Sequence, residues 1–221
     1  MARLKLVIAN KNYSSWSMRA WVLLRELGID FEEVPLEFSP EVSVIGIERY
    51  SAVGKVPVLI VDGEPVWDSL AICETVAELF PEKHIWPSEK RARQVARSVC
   101  AEMHSSFQAM RNSMPMNVRG RHPGKGMNPD TRRDIDRVAS IWQECRRNFG
   151  ADGDLLFGGF SAADAYFAPV AMRFATYAVG LPTAAQAYAE SLRALRSVRE
   201  WTDAAKLETA FIAAEEPYAT P

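Results

Sequence analysis

The chain has 221 residues, 48% of them apolar and 24% charged, with 26 Lys and Arg against 28 Asp and Glu for a formal charge of -2. That apolar share can offset ordering entropy, which excludes a wholly disordered chain, and the faint acidity argues against a nucleic-acid binder, whose surface would be basic. At about 150 residues per domain, one large domain or two small ones fit.

Cys73, Cys100 and Cys145 are odd in number and far apart, which argues against a disulfide framework or a zinc site and fits a reducing compartment. The run Leu6-Val7-Ile8-Ala9 is too short for a signal-peptide core, and no apolar run approaches the ~20 residues of a membrane helix. The expectation is a cytoplasmic protein with no metal, no membrane and no nucleic acid among its partners.

In chain order, Leu4 to Ala9 reads as a buried strand. From Trp16 to Leu27 the residues Met18, Trp21, Val22, Leu24 and Leu27 recur at helical spacing, and Gly28 stands where a helix is left. Phe31 to Leu36 is a second strand and Glu41 to Tyr50 a short helix. Val58 to Val61 is a strand, Asp62-Gly63 a tight hairpin turn, and Glu64 to Trp67 the returning strand, with Pro65 fit only for an edge or a strand start. Asp68-Ser69 caps a helix that runs to Phe80 and stops at Pro81. Strand, helix and strand imply a right-handed parallel pair, to which the hairpin adds antiparallel strands.

Past Pro87 the pattern is helical throughout. Glu89 to Met110 reads as one long amphipathic helix with Val95, Val99, Met103, Phe107 and Met110 on one face. Met114 to Asn128 is a Pro- and Gly-rich loop. Asn128-Pro129 opens a helix that reaches about Phe149, Ser161 to Val179 is a buried helix, and Thr183 to Leu207 holds two more. The tail, with Pro217 and Pro221, reads as irregular. The expected division is a mixed α/β domain over 1–82, a linker over 83–88 and an all-helical domain over 89–221.

Gly54-Lys55-Val56-Pro57-Val58-Leu59 is the most informative stretch. A cis Val56-Pro57 bond would turn the chain sharply and leave the Val56 backbone free to pair with an extended ligand, whereas a trans bond would make Pro57 an ordinary loop residue. Ser161-Ala162-Ala163-Asp164 is a capping box and is assigned to folding. Gly159-Phe160-Ser161 is not a nucleophile elbow, because no strand precedes it and His84, His104 and His122 all lie earlier in the chain. Arg119, Arg121, His122 and Lys125 form a basic stretch read as a solvated, mobile loop. Gly124-Lys125-Gly126 lacks the ending of a phosphate-binding loop.

Four segments in this order, Tyr13-Ser14-Ser15-Trp16-Ser17-Met18-Arg19, Lys55-Val56-Pro57-Val58-Leu59, Asp68-Ser69-Leu70-Ala71-Ile72 and Ser161-Ala162-Ala163-Asp164, resemble the glutathione transferases over nearly the whole chain. The resemblance implies a thioredoxin-like N-terminal domain and a helical C-terminal domain. It also implies glutathione as co-substrate, a small hydrophobic electrophile as second substrate, a homodimer and a role in detoxification. Within the family, Ser14-Ser15-Trp16-Ser17 is similar to the Ser-Ser-Cys-Ser of zeta-class members, with Arg19 in register. Trp16 in place of Cys departs from that pattern and argues against a zeta-type isomerase of the maleylacetoacetate kind.

The resemblance assigns the γ-glutamyl carboxylate to Ser69 and the amides of its helix start, and the ammonium to Asp68. Lys55 would meet the glycyl carboxylate, and the backbone at Val56 and Pro57 the cysteinyl part. The alternative for Asp68 and Ser69 is that they only cap a helix. Ser14, at a helix start where amides and dipole favour an anion, is the first candidate to donate a hydrogen bond to the thiolate; Ser15 is the second and Tyr13 the third. Ser14 or Ser15 could equally be an N-cap alone. Trp16, Phe107, Met110 and Arg111 are candidates for the electrophile pocket, with Arg111 holding an anionic group; Phe107 and Met110 also suit interdomain core. A transferase-fold binding protein without turnover is the alternative function. Disulfide exchange ranks last, since no Cys lies near Ser14.

Overall fold

The computed structural model describes residues 2–219, so Met1, Thr220 and Pro221 lie outside it. Four strands, β1 (Leu4–Ile8), β2 (Glu32–Pro35), β3 (Val58–Val61) and β4 (Glu64–Val66), form one sheet in the order β2-β1-β3-β4. β2 runs parallel to β1, with Leu6 opposite Glu33, while β3 is antiparallel to β1 and β4 to β3. From Leu6 to Ile8 β1 is apolar without alternation because it is buried on both faces, while Lys5 pairs with Glu32 at the surface. Leu4, Leu6 and Ile8 join the main core, while Val7 and Ala9 pack with Val44, Ile47 and Val58 on the other side.

Two helices accompany the sheet, α1 (Ser15–Glu26) and α2 (Ser69–Leu79). Gly28 follows α1 in the left-handed region (φ 63°), as its position in the sequence requires. Asp62 and Gly63 both take positive φ (49° and 100°), the geometry of a two-residue hairpin turn. Val56–Pro57 is cis, and so is Trp67–Asp68.

The rest of the chain is helical: α3 (Lys90–Ser105), α4 (Gln108–Ser113), α5 (Pro129–Phe149), α6 (Ala162–Thr176), α7 (Thr183–Ala194) and α8 (Arg196–Leu207). α6 is the central post, packed by α1, α3 and α7. It is buried almost throughout, which its composition anticipates. Its capping box is formed: the Ser161 N–H donates to Asp164 Oδ2 at 2.9 Å. Asp164 Oδ1 further accepts from the Leu156 N–H and the Tyr188 hydroxyl, tying the preceding loop and α7 to the start of α6. The architecture is a thioredoxin-like α/β layer followed by an all-helical layer.

Three expectations need correction. The stretch from Glu41 to Tyr50 is not a helix. Ser39 and Ser43 close a hydrogen-bonded turn, with Val42 at φ 64°, and only Ile47–Arg49 makes a 3-10 turn. The long helix from Glu89 to Met110 is broken, because Phe107 sits in the left-handed region (φ 66°) between α3 and α4. The Arg111 guanidinium then donates to the Met103 and Ser106 carbonyls, which the break leaves without helical partners. The basic stretch is not a free loop either. Arg119 donates to the Glu208 and Ala210 carbonyls, and His122 packs between the rings of Tyr177 and Tyr218. Only Arg121 and Lys125 stay exposed.

Candidate functional site

The starts of α1 and α2 and the last turn of α3 meet α6. Ser14 caps α1: its oxygen accepts the Ser17 N–H (3.3 Å) and its hydroxyl donates to Ser17 Oγ (2.7 Å). Ser17 Oγ also accepts the Ala9 N–H, so this serine pair fixes the start of α1 to the end of β1. Ser14 is 4% exposed.

Ser15, the first residue of α1, is placed differently. Its oxygen accepts a hydrogen bond from Arg173 Nη2 at 3.2 Å, reaching across from α6. Its own hydroxyl proton has no acceptor among the described residues. Tyr13 is drawn away from α1 altogether. Its hydroxyl donates to Glu216, accepts from Arg119 and lies 3.1 Å from the Ala210 carbonyl, all parts of a C-terminal strap.

Trp16 is half-buried under three cationic or polar neighbours. The Arg19 guanidinium lies 4.1 Å and that of Arg111 5.1 Å from its ring centre, and His104 meets it edge-on. Arg19 is almost completely buried between Trp16 and Tyr166, and its Nε and Nη1 atoms have no hydrogen-bond partner. Burial, with Arg111 adding to it, lowers Arg19 to about 10. Burial likewise lowers Arg173 to about 9, with Arg111 and Arg19 contributing. Among the described residues, none of the three arginines forms an ion pair with a carboxylate. The start of α1 is therefore ringed by buried positive charge.

At α2, Asp68 is the N-cap: Oδ1 accepts the Leu70 N–H at 3.0 Å, and Oδ2 faces His104 Nε2 at 3.2 Å. Burial, with Arg19 and Arg111 adding to it, holds the His104 imidazole below its ordinary value despite Asp68. Half of the Asp68 side chain remains open to solvent. Ser69 is fully buried, with its hydroxyl 3.0 Å from that of Tyr166. Lys55 is exposed, Val56 half-buried and Pro57 buried. Phe107 and Met110 are core residues, with Met110 fully buried, because the break after α3 turns them inward instead of continuing one helical face.

The structure thus gathers Ser14, Ser15, Trp16, Asp68, Ser69 and Arg111 around one region and sends Phe107 and Met110 to the core beneath it. Arg173 and Tyr166 were missed in the sequence, and Arg19 was marked only as standing in register with the serine motif. A signal existed for Arg173: besides Asp164 it is the one charged residue in α6, an otherwise apolar helix. The three cysteines are buried free thiols. Burial pushes Cys73 and Cys145 up to about 12 and Cys100 well above its ordinary value, which leaves them unreactive. A cavity of about 640 Å³ lies elsewhere, between the β1 and β2 ends and the residues after α8, and none of the candidate residues lines it.

Comparison with known proteins shows what the arrangement is similar to. Residues 13–79 match the N-terminal domain of glutathione S-transferases. The chain is 30% identical over 161 residues to a zeta-class glutathione S-transferase from Euphorbia esula, covering 70% of this chain and 65% of that protein. It is 28% identical over 112 residues to a probable maleylacetoacetate isomerase from Caenorhabditis elegans, covering 51% and 52%. These matches span about half to two thirds of the length of the relatives. In fold, the chain resembles a glutathione transferase homologue from Burkholderia gl BGR1 solved with bound glutathione (TM-score 0.71, 22% identity, 92% of this chain and 98% of that one). It also resembles glutathione transferase Omega 2S from Trametes versicolor (TM-score 0.69, 18% identity, 94% and 96%). With motif order, fold and relatives in agreement, the chain has the glutathione transferase fold and is similar in sequence to the zeta class of that family.

Proposed function

We propose that this protein binds reduced glutathione along the edge at Val56 and Pro57 and uses its thiolate against a small electrophile. The start of α1 carries the reading: a serine hydroxyl proton without an acceptor, a helix N-terminus and buried positive charge converge there. Asp68 offers a half-open carboxylate to the γ-glutamyl ammonium, the start of α2 serves the neighbouring carboxylate, and Lys55 meets the glycyl end. The bound thiol loses its proton to solvent. The sulfur forms a bond to the electrophilic carbon, and the leaving group departs with its electron pair. In an isomerisation the sulfur would add and leave again, with no net group transferred.

Ser15 is the better placed hydroxyl donor, since the Ser14 proton is directed to Ser17. Arg111, lying over Trp16, suits an electrophile that carries an anionic group, and pairing as a homodimer in the cytoplasm completes the reading. The pH dependence of conjugation by Ser14→Ala and Ser15→Ala tests it. Ser15→Ala should lower the rate at neutral pH about tenfold or more and move the profile to higher pH, while Ser14→Ala should chiefly lower stability. Unchanged profiles in both would discard thiolate stabilisation by serine.

The shallow exposure of Ser14 and Ser15, 4% and 6%, also favours a second reading, a glutathione-binding protein without turnover. Retained glutathione affinity with no activity on several classes of electrophile would support it.

A further inference from the structure

Arg173, which the sequence reading did not mark, is hydrogen-bonded to Ser15 beside the proposed thiol position. Its side chain runs from the last turn of α6 across to Ser15 at the start of α1, 5% exposed. Nε donates to the Met114 carbonyl (2.9 Å), Nη1 lies 3.4 Å from the Pro169 carbonyl, and Nη2 donates to Ser15 Oγ (3.2 Å). These bonds fix the guanidinium from three directions. A buried guanidinium usually lies against a carboxylate, because desolvating an uncompensated charge is costly. Here the bonded partners are two carbonyls and a hydroxyl. The charged or titratable groups facing it are Arg111 from α4, Arg19 from α1, Tyr177 at the C-cap of α6 and Glu215 from the C-terminal strap.

A Ser hydroxyl has one proton and two lone pairs. Because the guanidinium can only donate, Ser15 Oγ must accept from it, and the serine proton stays free for another acceptor. Beside it, the Ser15 N–H is taken by the Tyr13 carbonyl (2.9 Å) and the Ser17 N–H by Ser14, whereas the Trp16 N–H has no partner among the described residues. One hydroxyl and one amide at a helix N-terminus are left to face an anion, with a fixed cation directly behind the hydroxyl.

We infer that Arg173 is a positioning residue for the glutathione thiolate: it holds Ser15 as a hydrogen-bond donor to sulfur and supplies through it the buried positive charge that favours the ionised form. This rests on the reading that the glutathione thiol lies at the start of α1. No proton passes through Arg173. The thiol proton leaves to solvent, and the guanidinium stays charged throughout. Glu215 is an opposing charge that acts on Arg173, so the strap tempers the same field.

The test is the ultraviolet thiolate absorbance of the enzyme–glutathione complex, titrated with pH for the full chain and for Arg173→Gln, Arg173→Lys, Ser15→Ala and Ser15→Ala/Arg173→Gln. Calorimetry reports glutathione affinity, and melting reports folding. Arg173→Gln is expected to raise the ionisation midpoint by about one unit, a tenfold loss of thiolate below it. Conjugation at saturating glutathione should fall in proportion and recover at high pH, while Arg173→Lys restores part of the shift. Ser15→Ala should raise the midpoint too, and the double variant should go little further, since one route is removed twice. A wild-type midpoint in a folded, glutathione-binding Arg173→Gln protein overturns the proposal, as do independent, additive shifts. If Arg173→Gln fails to fold, Arg173→Lys alone and with Ser15→Ala decides in the same way. Failure of the unaltered chain to bind glutathione would instead remove the reading beneath.

Discussion

At the scale of single residues, the same carboxylate can cap a helix and serve a ligand, and Asp68 separates the two. Its Oδ1 serves the α2 amides, and its charge faces His104 and solvent. Asp68→Asn keeps the capping oxygen and removes the charge. It should leave the melting temperature nearly unchanged and weaken glutathione binding about tenfold, close to the worth of one charged hydrogen bond. Asp68→Ala should add a loss of about 1 kcal/mol in stability, read by denaturant unfolding. Equal glutathione affinity in all three proteins would leave Asp68 as a cap alone. Asp164 is a carboxylate of the opposite kind, fully buried and raised to about 6 from 3.8 by desolvation, which outweighs its four hydrogen bonds. A raised folded-state value favours the protonated form on folding. Its contribution is present at about pH 4 and fades as pH rises through about 6, by roughly 3 kcal/mol. Melting followed across that interval should therefore decline more steeply in the wild type than in Asp164→Asn.

At the scale of elements, the helix starts and turns were readable because their determinants are local. Asn128-Pro129, Asp68-Ser69, Ser161 with Asp164, and Asp62-Gly63 act within four residues of one another, and each forms as expected. The break between α3 and α4 was not readable, since Phe107 adopts φ 66° to reach the core, a preference no propensity carries. Its tertiary gain outweighs a local cost of about 1–3 kcal/mol. Glycines in the loop before α5 give a paired test of the same balance. Gly126 (φ 73°) abuts the Ser113 carbonyl at the end of α4, where an added Cβ would collide, whereas Gly124 (φ 72°) opens on space. Gly124→Ala should cost about 1 kcal/mol and Gly126→Ala clearly more, about 2–4 kcal/mol, by urea unfolding. Equal costs would mean that the loop yields freely.

At the scale of the whole molecule, residues far apart in the chain close the structure over α1. Glu208, just beyond α8, accepts the Lys11 N–H (2.6 Å) and the Asn12 N–H (3.0 Å), while Trp201 donates to the Lys11 carbonyl. Arg119 and Glu216 then hold Tyr13. Glu208→Ala strands two amides in the turn between β1 and α1 and should cost about 1–3 kcal/mol. It should also raise hydrogen exchange at Lys11 and Asn12 above that of the sheet. Exchange unchanged at these amides would show that the turn holds itself.

Composition, periodicity and short motifs by themselves determined the four strands and the helices with local caps, the mixed sheet followed by helices, the capping box and the family resemblance. Each of these is set by hydrophobic period or by contacts a few residues apart, which are written contiguously in the chain. Only the tertiary structure decided that Ser14 spends its proton on Ser17 while Ser15 keeps its own, that Arg173 stands behind Ser15, and that Phe107 and Met110 belong to the core. Those outcomes depend on which faces meet across about 160 residues of intervening chain. The energy of such a meeting comes from burial and directional hydrogen bonds, which exist only once both partners are in place.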